Sequence, residues 1–154
     1  MGIGLARIRQ VKIPVTDLAG SVDWYRRALG LDLAAEFVEQ DVLRGVALAD
    51  PDTGFVVALR DRSVCANEPD LAGYDVVAFE ITDPDKIVAR WDDLGLDHTD
   101  VWDGGHYGLG VDLRDPDGIV LRFLCGNPIG QGGFAGVATD ADGRFSFYET
   151  PRLG

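Results

Sequence analysis

Residues 11–31, VKIPVTDLAGSVDWYRRALGL, decide the fold because they recur. Val77-Ala78-Phe79-Glu80-Ile81-Thr82-Asp83 repeats the alternating opening of Val11–Asp17 after 66 positions, and Asp93-Leu94-Gly95-Leu96 repeats Ala28-Leu29-Gly30-Leu31 after 65. The first piece of each copy has strand periodicity. Val11, Ile13 and Val15 share one face at period two, as do Val77, Phe79 and Ile81. The second piece has helix periodicity, with Val22, Tyr25 and Leu29 on one stripe and Ile87, Trp91 and Leu94 on its counterpart. Asp83-Pro84 supplies a capping carboxylate followed by a proline at the first helical position, and Gly30 and Gly95 suit a left-handed stop.

Outward from these segments, Phe37–Gln40, Val42–Ala49 and Gly54–Leu59 are the strand candidates of the first copy. His98–Trp102, Leu109–Leu113 and Ile119–Leu124 are those of the second. A Pro/Asp/Gly turn precedes the last strand of each: Asp50-Pro51-Asp52-Thr53-Gly54 and Asp115-Pro116-Asp117-Gly118. Each half therefore reads βαβββ, an α+β unit, and a repeat of two is no solenoid. The reading is one domain over 1–126, built from modules at about 5–65 and 72–126, then a Gly-rich linker and an aromatic C-terminal arm over 127–154. In the arm, the hairpin-like Asp142-Gly143 precedes Phe145, Phe147 and Tyr148, aromatics expected to pack on the body or on a second subunit.

Composition narrows the function. Hydrophobic residues at 46% and charged residues at 26% describe an ordinary globular chain. Fourteen Lys+Arg against 26 Asp+Glu give a net charge of −12, which repels phosphate backbones and anionic lipid, so neither nucleic acid nor a membrane is an expected partner. No apolar run approaches the roughly 18 residues of a membrane span. Met1–Gln10 alternates Arg with apolar residues without the continuous stretch of a signal peptide, so a cytoplasmic location is expected. Cys65 and Cys125 stand sixty positions apart in no CxxC arrangement and read as ordinary thiols. GxSxG, GxGxxG, HExxH and phosphate-cradling loops are all missing from the sequence.

The duplicated βαβββ plan, with PVTDLAGSVDWYRRALGLDL (14–33) opening the first half and LRDPDGIVLRFL (113–124) closing the second, resembles the vicinal oxygen chelate superfamily. That group holds glyoxalase I, bleomycin-resistance proteins and extradiol dioxygenases, and the resemblance covers about residues 5–126. It implies curved mixed sheets forming a cup. In the enzymes a divalent metal sits there, held by one His, Gln or Glu from the first and last strand of each half. Carried onto this sequence, those positions are Gln10, Ala58, Val76 and Arg122. Ala58 and Val76 offer no donor, and Arg122 is a permanent cation. A slip of one residue, to Arg9, Val57, Asp75 and Leu121, brings in a single carboxylate. No metal and no other cofactor is therefore expected.

With ligand positions replaced by small apolar residues, the cup is expected to hold an organic molecule. Its lining would include Gln10, Ala58, Val76, Glu80 and Arg122, with Arg122 orienting a carboxylate, phenolate or carbonyl, or else pairing internally with Glu80. Trp102, His106 and Tyr107, in the Gly-rich Trp102–Gly108 segment, would form an aromatic lip. His98 reads as a solvated turn residue, and Trp24, Tyr25 and Trp91 as core. The resemblance thus favours a metal-independent binding protein similar to bleomycin-resistance proteins. It would sequester an aromatic or amphipathic natural product or drug, as a homodimer with shared cups, and thereby serve antibiotic resistance. The alternative is a lyase, isomerase or dioxygenase of the same superfamily, metal-free or with a non-standard metal site. In a metal-free enzyme His106 would act as base and Arg122 would stabilise an anion.

Overall fold

The computed structural model describes residues 2–126 and 134–153; the expected linker falls largely on 127–133, outside the described residues. The first half runs β1 (Val11–Val15), α1 (Leu18–Leu29), β2 (Asp32–Glu39), β3 (Val42–Ala49) and β4 (Val56–Asp61), with sheet order β1-β4-β3-β2. The second runs β5 (Asp75–Glu80), α2 (Pro84–Asp93), β6 (Trp102–Asp103), β7 (Leu109–Arg114) and β8 (Val120–Cys125), with the matching order β5-β8-β7-β6. A hairpin of β9 (Gly136–Thr139) and β10 (Phe145–Tyr148) follows. The chain is an α+β fold of two βαβββ modules. It forms two compact units: Met1–Val77 with Arg114–Val120, and Ala78–Leu113 with Leu121–Gly154.

In the first unit the sequence signals act where they stand. Asp17 caps α1 by accepting the Gly20 N–H at 3.1 Å, and Gly30 ends the helix at φ 69°, a conformation that a Cβ makes costly. Pro14 is tolerated inside β1 because that strand lies at the sheet edge, paired among the described residues only with β4. Helix α1 lies against β3 and β4 over a core of Ile13, Val15, Leu48, Val57 and Leu59. The buried helical stripe is Ser21, Tyr25 and Ala28, whereas Val22 and Leu29, expected to be buried, are only half-buried. Two of the three are small, Ser21 and Ala28, and a search for large apolar residues passes over them. Strand β2 starts at Asp32 rather than Phe37, since Ala34 and Ala35 carry little strand propensity and pairing with β3 imposes the conformation.

In the second unit Asp83 caps α2 through the Asp85 N–H at 3.0 Å, with Pro84 opening the helix. Trp91 is wholly buried, and its ring meets the face of Phe123 edge-on at 4.9 Å. Phe123 in turn stacks on Phe79 at 5.1 Å. Val111, Leu113 and Leu121 complete this core; with Phe123 they share the buried face of β7 and β8, so Asp112 and Arg122 between them point the other way. The strand expected over His98–Trp102 is reduced to Trp102–Asp103 and one isolated bridge between His98 and Leu113. Its ladder is interrupted where the Asp112 N–H donates to the Thr99 hydroxyl at 2.9 Å instead of to a backbone carbonyl. Among the described residues, no helix is long and apolar enough to cross a membrane.

Candidate functional site

The site is built on β6, only two residues long. Trp102 pairs with Gly110 across the β6–β7 ladder, and a Cβ at Gly110 would fall inside the indole ring. The absent side chain lets Trp102 lie down over β7, where any other residue would hold it off. The following turn is held by Asp103, which accepts the Gly105 N–H at 2.8 Å, and by the Gly104 N–H donating to the Gly108 carbonyl at 2.8 Å. This fold-back brings Tyr107 to Trp102.

Three aromatic rings share nearly one orientation. Tyr107 stands 6.3 Å from Trp102 between ring centroids with planes 10° apart, and Phe145 of β10 stands 6.2 Å away at 11°. The hairpin also sets Phe147 edge-on to His106 at 5.1 Å and to Phe134 at 5.2 Å. The C-terminal aromatics thus dock on the second unit of their own chain. Trp102 and Tyr107 are half-buried and Phe145 remains 39% exposed, so the group keeps open aromatic surface.

Arg122 completes the group. Its guanidinium carbon lies 5.7 Å from the Trp102 centroid, within cation–π range. Its Nε donates to Asp112 Oδ1 at 3.0 Å and its Nη2 to Asp112 Oδ2 at 3.1 Å, a two-pronged ion pair between adjacent strands. The carboxylate the structure supplies to Arg122 is therefore Asp112, where Glu80 had been the expected internal partner. That pairing occupies the fork that would otherwise grip a ligand's oxygens. What Arg122 presents to the cluster is charge against the indole.

Of the residues expected in the site, the structure brings together Trp102, Tyr107 and Arg122. His106 is exposed, with its ring against Phe147. Glu80 ends β5 and is exposed. Gln10, Ala58 and Val76 belong to the first unit: Gln10 is half-buried ahead of β1, Ala58 is buried in register with Lys12 and Ala47, and Val76 is half-buried in β5. Gly110 and Asp112 escape sequence reading, although a glycine opposite a tryptophan on paired strands is a signal that marks such a site. His98 is no solvated turn residue. Its Nε2 donates to Asp92 at 2.8 Å and its Nδ1 to the Thr99 carbonyl at 2.6 Å, with the ring 5.7 Å from Trp91. Both neighbours are acceptors, so both ring nitrogens carry hydrogen and the pKa is raised, first through the bond to Asp92.

The donor set does not fit a divalent metal at the positions implied by family resemblance. Ala58 and Val76 have no donor atoms, and Arg122 is a cation already bound to Asp112. Among the described residues, no three His, Cys, Asp or Glu side chains are grouped to hold a metal ion.

Comparison with known proteins places this geometry. Residues 7–123 match the model of the Glyoxalase/Bleomycin resistance protein/Dioxygenase superfamily. No curated protein sequence matches. Among solved structures, TnmS3, an antibiotic binding protein from Streptomyces sp. CB03234, is similar with a TM-score of 0.70 at 19% identity, over 82% of this chain and 100% of that one. A superfamily member from Sphaerobacter thermophilus DSM 20745 is similar with a TM-score of 0.70 at 20% identity, over 79% of this chain and 98% of that one. Lactoylglutathione lyase from Agrobacterium tumefaciens is similar with a TM-score of 0.64 at 17% identity, over 82% and 98% respectively. At these identities the likeness is one of fold, and it extends to binders and enzymes alike. The match to the family model over most of the chain, on a duplicated βαβββ fold, makes this protein a member of the Glyoxalase/Bleomycin resistance protein/Dioxygenase superfamily.

Proposed function

We propose that this protein binds a planar aromatic small molecule on the Trp102 cluster, without a metal, and holds it rather than transforming it. The observation that carries the reading is the common orientation of Trp102, Tyr107 and Phe145, within about 11° of one plane. Rings already aligned lose little freedom when a flat ligand stacks on them, and each aromatic pair adds about 0.5–1.5 kcal/mol beyond the area it buries. The guanidinium of Arg122, paired with Asp112, lies beside the indole and suits an electron-rich ring system. The structural likeness to an antibiotic binding protein supports a natural product or drug as the ligand. The donor-poor family positions support binding over metal-assisted chemistry.

The test incubates the protein with a panel of planar polycyclic aromatic compounds and follows both affinity and the fate of the compound by mass spectrometry. The expected result is saturable binding with the compound recovered unchanged, weakened about tenfold or more in Trp102→Ala. Conversion of the compound by wild-type protein, lost in His106→Ala, would overturn the sequestering role.

A further inference from the structure

The hairpin of β9 and β10 carries its own framework. The Asp140 side chain accepts the Asp142 and Arg144 N–H groups at 2.9 Å each, and the Asp140 N–H donates to the Arg144 carbonyl at 3.0 Å. Gly143 completes the turn at φ 77°, where a side chain is strained. Across the strands Tyr148 pairs with Gly136, and a Cβ there would overlap the tyrosine ring. The Arg152 guanidinium lies 4.6 Å from the centroid of the same ring. Turn and register are thus set by the hairpin's own residues.

Its attachment is of another kind. Among the described residues its strands pair only with each other, and no hydrogen bond or ion pair joins residues 134–153 to the rest of the unit. Rings make the contact: Phe145 on Trp102, and Phe147 on His106 and 3.3 Å from where a Cβ of Gly105 would stand. No residue of β9 or β10 is buried. Segments held by few buried contacts and no main-chain bonds open at low cost. Tyr107 is held differently, with its N–H donating to the Gly104 carbonyl at 3.2 Å and the Gly104 N–H closing the turn on Gly108 at 2.8 Å.

The ring spacing gives this contrast a consequence. The centroids of Trp102 and Phe145 are 6.2 Å apart, and their nearly parallel planes cannot be further apart than that. Carbon atoms in contact need about 3.5 Å, so a flat ring lying between two others needs about 7 Å. The 6.3 Å between Trp102 and Tyr107 is also too little. One side must yield, and the hairpin is the side without main-chain bonds. Building on the aromatic-binding reading above, we propose that the β9–β10 hairpin swings outward as a unit to admit a flat ring between Trp102 and Phe145, so that Phe145 gauges the thickness of the ligand. A planar arene asks for about 1 Å of movement. A saturated ring is puckered and thicker, asks for more, and is disfavoured.

The experiment labels the full chain with 5-fluorotryptophan and follows fluorine NMR, with Trp102→Phe identifying the Trp102 resonance. Phe145→Ala supplies the position of that resonance when the outer ring is gone. Phe147→Ala removes the hairpin's other ring contact and leaves Trp102, Tyr107 and Phe145 in place, and circular dichroism checks the fold of each variant. Without ligand, Phe147→Ala is expected to move the Trp102 resonance toward the Phe145→Ala position while Trp91 stays. Affinities are then measured for 2-naphthol and for its saturated counterpart decahydro-2-naphthol. Wild type is expected to prefer the arene, and Phe147→Ala to narrow that preference at least about threefold through tighter binding of the saturated compound. A Trp102 resonance indifferent to Phe147→Ala, or an arene preference as large in that variant as in wild type, would overturn the proposal while leaving aromatic binding intact. A resonance that moves as expected in a protein that binds neither compound would instead overturn the aromatic reading, and the gauge with it.

Discussion

The hydroxyl of Tyr25 donates to Asp115 Oδ2 at 2.7 Å, joining residues 90 positions apart. Tyr25 is wholly buried in α1 and Asp115 is buried at the head of the Asp115-Pro116-Asp117-Gly118 turn. The other oxygen of Asp115 accepts the Asp117 and Ile119 N–H groups, each at 2.9 Å. Asp117 then accepts from the backbone and hydroxyl of Thr16, next to the helix cap. The turn that closes the second half is thereby bonded into the start of the first.

Tyr25→Phe keeps the ring and removes the donor, leaving a buried carboxylate oxygen short of a partner. The expected cost is about 1–3 kcal/mol, read as a lowered Tm. Burial first, and then Asp115, push the phenol above its ordinary range, and burial likewise raises Asp115. The Tyr25 contribution is fully present below the ordinary tyrosine range and is lost as pH rises from there toward the folded-state value. The Tm gap between wild type and Tyr25→Phe should therefore narrow in alkaline solution, and a gap that widened would contradict the pairing.

Ser21 shows the opposite case. It is 1% exposed and its hydroxyl has no hydrogen-bond partner. Ser21→Ala removes an unpaired buried polar group and improves helix propensity, so it should be neutral or stabilising by up to about 1 kcal/mol. Chemical denaturation with an unchanged m-value measures this directly, and a loss of stability would mean that the hydroxyl is satisfied in solution.

Gly110→Ala places a methyl where the Trp102 ring lies. The ring must leave or the strand pair must shift, with an expected cost of about 1–3 kcal/mol. Near-ultraviolet circular dichroism should lose part of its tryptophan signal while the far-ultraviolet spectrum is retained, and aromatic ligand binding should fall with it.

His98 gives a pH signature near neutrality. Its raised pKa, due first to Asp92 and then to the Thr99 carbonyl, means that its stabilisation is full below the ordinary imidazole range and is lost as pH rises through the raised value. Asp92→Asn removes the largest cause and should flatten the decline of Tm between about pH 5 and 8. An unchanged pH profile would place the titration elsewhere.

The fold was legible because its signals are local and doubled. Asp17 with Gly30 and Asp83 with Gly95 bracket the two helices, and the Asp-Pro-Asp turns mark the return of the last strand of each half. The site was legible only where residues cluster in sequence, as Trp102 and Tyr107 do. The partnership of Arg122 with Asp112 depends on which face of β7 meets which face of β8. The seat under Trp102 depends on the β6–β7 register that sets it opposite Gly110. Phe145 reaches Trp102 through the fold of the β9–β10 hairpin, which no short-range pattern reports. The burial of Ser21 and Ala28 in place of Val22 and Leu29 has the same origin, since the face that meets the sheet is set by tertiary packing and not by hydrophobicity alone.

The most direct measurement is fluorescence titration of chelator-treated protein with planar aromatic compounds, on wild type, Trp102→Phe and Trp102→Ala. The expected result is saturable quenching of wild type at one ligand per chain, unchanged by added divalent metal. Most of the quenching should vanish in Trp102→Phe, and affinity should fall about tenfold or more in Trp102→Ala. Binding that requires a metal ion, or that proceeds unaltered in Trp102→Ala, would contradict a metal-independent aromatic site on Trp102.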